Sequence, residues 1–119
     1  MAIFTSKVRS AGDLAGVFEY DGETGYFYLY DQRRQRGQMV LDAIPVVSSV
    51  ADFGEPDVQV VWDATETRVA LVIQHRVWAV FDTRTETKYG GDYRTDGVPS
   101  VPGEIIKALA PSIIKSNGQ

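Results

Sequence analysis

Residues 58–82 constrain what this chain can fold into more than any other stretch. They read Val58-Gln-Val-Val-Trp-Asp63, Arg68-Val-Ala-Leu-Val-Ile73 and Val77-Trp-Ala-Val-Phe-Asp82, separated by Ala-Thr-Glu-Thr and Gln-His-Arg. Runs rich in valine, isoleucine and aromatics joined by short polar breaks encode an antiparallel meander. Neighbouring residues of a strand point to opposite faces. Val60 beside Val61, Leu71 beside Val72 and Val80 beside Phe81 therefore make both faces apolar. Such strands need cover on both sides, which places the meander at the centre of a sheet. Trp62 shares a face with Val58 and Val60 and reads as core. Trp78 is either core of the second face or a partly open anchor.

The flanking sequence adds strands. Residues 2–8 read as an opening strand. Gly16-Val-Phe-Glu-Tyr20 and Tyr26-Phe-Tyr-Leu-Tyr30 surround Asp21-Gly-Glu-Thr-Gly25, two β-rich arms about a glycine-containing turn, and predict a hairpin. Residues 38–47 form a further strand, with Pro45 marking its end or a sheet edge. Residues 48–57 read as a loop, and residues 83–99 as an irregular connection or one short extra strand. Helix signals occur once. Pro102 and Glu104 suit a helix start, and Ile105, Ile106, Leu109 and Ile113 share one side. Pro111 is expected to end that run. With only Lys107 and Lys115 as cations, the helix is expected to dock on the sheet rather than on a membrane.

A chain of 119 residues is long enough to bury a core without staples, so we expect one β-rich domain over 1–119 with 116–119 a frayed tail. The expected class is α+β: a single antiparallel sheet of about six or seven strands with the short C-terminal helix packed on one face. Without cysteine there are no disulfides, thiol nucleophiles or thiolate metal sites. The N-terminal residues lack a sustained apolar run with a small-residue cleavage site, so no signal peptide is expected and the cytoplasm is the expected compartment.

The net charge of −4 favours basic partners and disfavours nucleic acid. Against it stands Arg33-Arg-Gln-Arg36, with Arg33, Arg34 and Arg36 either a solvated loop or a contact for an anion or an acidic partner. Chemistry has few carriers. The single histidine, His75, sits in a tight turn between Gln74 and Arg76, which supply no carboxylate to orient it. Asp21 and Glu23 lack the alternating-acid pattern of a calcium loop, and no serine stands in a nucleophile elbow. Neither an enzyme nor a cofactor is expected. The feature left over is the stripe Tyr26, Tyr28, Tyr30, which shares one strand face while Phe27 and Leu29 share the other. This face either lies under the helix or a loop, or is an aromatic binding face.

The segments Phe18-Glu-Tyr-Asp-Gly-Glu-Thr-Gly-Tyr-Phe-Tyr28 and Val61-Trp-Asp63 to Ala79-Val-Phe-Asp82 resemble a small bacterial family of unknown function. That family pairs an Asp-Gly-Glu-Thr-Gly hairpin with a Trp-Asp to Phe-Asp meander. The resemblance spans about half the chain, implies a single sheet-and-helix domain and carries over no functional residue. The Trp-Asp pair is also similar to the strand ends of a propeller blade, but a lone blade cannot close a propeller.

The expectation for function is a non-catalytic protein-binding domain, in one form an immunity or antitoxin-like protein that captures a basic toxin. The alternative is a small-ligand carrier or sensor with a pocket lined by Tyr26, Tyr28, Tyr30 and Trp78.

Overall fold

The meander forms three strands, β5 (Val58–Trp62), β6 (Arg68–Ile73) and β7 (Arg76–Asp82), and β8 (Thr87–Gly90) extends it. Its strands are covered on both sides, as their doubly apolar pattern requires, but the meander is not central in its sheet: β5 is an edge strand. Val58, Val60, Trp62, Val69, Leu71 and Phe81 face one core, and Val61, Ala70, Val72, Val77 and Val80 face another. The first cover is a second sheet rather than a continuation of the same one. β1 (Ile3–Val8), β2 (Leu14–Tyr20), β3 (Gly25–Asp31) and β4 (Val40–Val47) make their own antiparallel meander. The second cover is α1 (Gly103–Ser116). The structure, a computed structural model, describes residues 2–116, with side chains through residue 113. The frayed tail expected at 116–119 falls, beyond Ser116, outside the described residues.

The expected single sheet of six or seven strands is therefore corrected to two four-stranded sheets packed face to face. The division falls at residues 48–57, where a loop and a 3-10 turn (Glu55–Asp57) carry the chain from one layer to the other. Alternation reports which side a residue faces, not which sheet its strand joins. Sheet β1–β4 lies with β1 on β5, β2 on β5 and β6, and β4 on β7 and β8. Gly16 permits this approach: a β-carbon there would stand 2.6 Å from Val69 Cγ2 and 2.9 Å from Val60 Cγ1. Beyond β8, Asp92 and Tyr93 donate their amides to the carbonyls of Pro45 and Val46 and stitch the sheets along that side.

The helix docks as expected, but on the outer face of sheet β5–β8. Ile105 and Leu109 are buried there, and Ile106 and Ile113 are partly buried. It also runs through Pro111 rather than ending before it. Pro111 forfeits one intrahelical hydrogen bond, and continued packing of Ile113 against the same apolar cluster offsets that loss.

Four strands close with an aromatic residue and an aspartate at or just past the strand end: Tyr20-Asp21, Tyr30-Asp31, Trp62-Asp63 and Phe81-Asp82. In each pair the carboxylate accepts one or two amides of the following turn. Asp63 Oδ1 takes the Thr67 and Arg68 amides at 3.0 and 3.1 Å, and Asp82 Oδ1 takes those of Arg84 and Thr85 at 3.0 and 3.1 Å. Arg68 stands between the two, 3.5 Å from Asp63 and 3.1 Å from Asp82. The likeness to a propeller strand end is this shared turn chemistry.

Candidate functional site

The outer face of sheet β1–β4 has no layer over it among the described residues. Strand register arranges it in three cross-strand rows. Phe4, Glu19, Tyr26 and Pro45 form the first, Ser6, Val17, Tyr28 and Ala43 the second, and Val8, Ala15, Tyr30 and Val40 the third. Phe4 is 59% exposed, Val40 48%, Val8 42% and Tyr26 39%, so the face presents large apolar side chains to solvent. Val17 and Ala15 nonetheless lie buried on it, beneath the larger side chains on either side.

The Asp21 turn sets the register that builds the tyrosine ladder. Asp21 Oδ1 accepts the amides of Glu23 and Thr24 at 2.9 and 2.8 Å, and these bonds hold its carboxyl below the usual range. The following strand then places Tyr26, Tyr28 and Tyr30 in a row. Ring centroids of Tyr26 and Tyr28 are 5.9 Å apart and stacked, and those of Tyr28 and Tyr30 are 6.0 Å apart and tilted. The Tyr30 hydroxyl donates to Glu19 Oε2 at 3.3 Å. Burial first, and the charge of Glu19 second, push the Tyr28 and Tyr30 phenols up. A shallow groove of about 480 Å³ runs along the first row, bounded by Phe4, Glu19, Asp21, Thr24, Tyr26 and Tyr28.

Trp78 does not join the tyrosines. A register shift after Leu71 pairs Val72 with Val77 and Leu71 with Ala79, which leaves Trp78 as the extra residue of a β-bulge. Trp78 and Ala79 therefore both turn into the inter-sheet core, where Trp78 is 3% exposed. Tyr93 and Phe53 continue this aromatic cluster, with ring centroids 5.1 Å apart. The expected pocket walled jointly by Tyr26, Tyr28, Tyr30 and Trp78 is corrected accordingly: the tyrosines and the indole lie on opposite sides of a sheet.

Arg33, Arg34 and Arg36 occupy the exposed loop after β3, at the Tyr30 end of the ladder. Two are tied to Asp31: Arg33 donates through Nε and Nη2 at 2.9 Å each, and Arg34 Nε lies 3.5 Å away. The Arg33 side chain holds the Asp31 carboxyl at about 2. His75 lies in a two-residue turn with Gln74, both in the left-handed region at φ 71° and 51°. Among the described residues, no group of three or more histidines or carboxylates is arranged to hold a metal ion. Nor is any helix long and apolar enough to cross a membrane.

Sequence reasoning missed Glu19 and Phe4 as members of this face. Glu19 was readable from the hairpin, because a turn at residues 21–24 sets it opposite Tyr26. Phe4 was not, since nothing in the sequence gives the pairing of β1.

A family described as "Uncharacterized protein conserved in bacteria (DUF2251)" matches residues 1–96. This chain belongs to that family. The DUF2251 match is longer than the half of the chain covered by the hairpin and meander motifs; it takes in all eight strands and stops before α1. A relative described as an uncharacterized protein of Haemophilus influenzae (strain ATCC 51907 / DSM 11121 / KW20 / Rd) is 39% identical over 71 residues, 57% of this chain and 44% of the relative. The matched region thus spans less than half the length of that relative. No solved structure matches the chain.

Proposed function

We propose that this DUF2251 chain is a non-catalytic, cytoplasmic protein-binding domain that engages a basic partner through the outer face of sheet β1–β4. One observation carries this reading. Of the two outer sheet faces, one is capped by α1, whereas the other is left open with Phe4, Val8, Val40 and the tyrosine ladder on it. Contiguous apolar surface rich in tyrosine is the ordinary composition of a docking face. The net charge of −4 favours capture of a cationic protein. In its sharpest form the protein is an immunity or antitoxin-like inhibitor of a basic toxin, and a toxin-like gene beside its own would support that form.

A photocrosslinking residue at Tyr26 tests the docking face, with the same residue at the exposed Val98 beside α1 as control. One discrete adduct in cells from Tyr26 and none from Val98 is the expected result. Equal labelling from both positions, or none from Tyr26, would overturn it.

A small-ligand carrier or sensor keeps one supporting feature. A cleft of about 420 Å³ opens between the sheets, floored by Leu14, Leu29 and Phe81, with Arg34, Asp42 and Glu86 at its rim. A thermal-shift screen separates the readings, because a ligand bound only by the native state raises the melting midpoint.

A further inference from the structure

We propose that the groove along the first row of the open face takes an arginine or lysine side chain of the partner, with Glu19 as its counter-charge and the Tyr26 and Tyr28 rings as its walls. This rests on the reading of that face as a docking surface.

Three observations converge on a cation. Of the twelve outward positions in the three rows, Glu19 alone carries a carboxylate, and none carries a lysine or arginine. A carboxylate amid phenol rings is a poor seat for an apolar knob and a good one for a guanidinium or ammonium group. The ring faces are electron-rich, and a cation above them gains from the ring quadrupole as well as from the counter-charge. Glu19 also keeps one oxygen uncommitted. The Tyr30 hydroxyl engages Oε2, while Oε1 accepts no hydrogen bond among the described residues.

The molecule builds the same arrangement elsewhere for one of its own side chains. Arg9 lies with its guanidinium carbon 5.6 Å from the centre of the Trp62 ring. It donates through Nε and Nη2 to the two carboxylate oxygens of Asp13, at 2.7 Å each. That site holds carboxylate, ring and cation together. The Glu19 site holds the carboxylate and the rings without a cation paired to them among the described residues. Glu19 forms no ion pair among the described residues, and Arg33 and Arg34 of the β3–β4 loop are engaged with Asp31 at the Tyr30 end of the ladder.

The test uses a blocked Gly-Gly-Arg-Gly-Gly peptide and its citrulline counterpart, which keeps the shape and loses the charge. Each is titrated into the full chain while backbone and tyrosine ring shifts are followed by nuclear magnetic resonance. Saturable shifts at Glu19, Tyr26 and Tyr28 are expected from the arginine peptide. Binding should be about five- to tenfold weaker for citrulline and weaker by a similar factor in Glu19→Gln. It should also weaken as salt is added. Glu19 is exposed, so the Glu19→Gln melting midpoint should match that of the parent and the comparison stays clean. Equal shifts from both peptides, or binding indifferent to Glu19→Gln, would overturn the cation site. No shift from either peptide would overturn it as well. None of these results touches the Tyr26 crosslink, so loss of the crosslink remains the separate sign that the docking face itself is wrong.

Discussion

Tyr93 meets Trp78 edge to face with ring centroids 4.8 Å apart, and this contact closes the inter-sheet core over the indole. Trp78 is consequently a packing residue. Trp78→Ala should lower stability by about 3–5 kcal/mol, read from the urea midpoint. Below its melting temperature, the variant should retain the Tyr26 crosslink.

Adjacent residues of β3 should respond very differently. Phe27 is fully buried and stacks on Phe81 at 5.3 Å, whereas Tyr28 is half-buried on the open face. Phe27→Ala should cost about 3–5 kcal/mol. Tyr28→Ser should cost about 1–2 kcal/mol, because part of the ring is already in water. Paired denaturant melts measure both, and equal losses would mean that something covers the ladder.

Stability should fall at both ends of the pH scale for identifiable reasons. Burial, helped by a 2.8 Å hydrogen bond to Asp52, pushes the Tyr93 phenol from 10.0 to about 12. A phenol raised on folding contributes fully below pH 10, and its contribution is lost as pH rises from 10 to about 12. Tyr93→Phe should therefore flatten the alkaline limb. Arg33 depresses Asp31 from 3.8 to about 2, so that contribution is present above pH 3.8 and lost as pH falls through 2. Asp31→Asn should flatten the acid limb. Melting midpoints across pH check both variants.

Two glutamates in left-handed backbone should respond differently to glycine. Glu86 has φ 55° and is exposed, and Glu86→Gly should stabilise the hairpin by about 1 kcal/mol by relieving the strained conformation. Glu66 has φ 56°, but its carboxylate accepts the Ser10 amide at 3.0 Å and the Ser10 hydroxyl at 2.9 Å. Glu66→Gly gives up those bonds between the β1–β2 and β5–β6 turns, so it should be neutral or destabilising. Thermal midpoints of the two variants decide this.

Local structure was legible wherever a residue's neighbours in sequence are also its neighbours in space. The meander, the hairpin at residues 16–30 and the inward face of Trp62 follow from alternation and turn chemistry alone. Long-range choices were not legible. Residues 48–57 read as a loop in either a one-sheet or a two-sheet architecture. Trp78 changed sides through a one-residue bulge that carries no glycine signal. Pro111 read as a stop because the stabilising contact of Ile113 is tertiary. At the candidate site, the tyrosine stripe was visible in the sequence. Whether α1 lay over it depended on which of two apolar faces the helix chose.

That choice has a consequence for assembly. With α1 seated on one outer face, the described residues leave one broad apolar sheet face open. On the proposed reading that face gives the sheet surface a valence of one, suited to ending a stack or stopping up a groove rather than to bridging two neighbours.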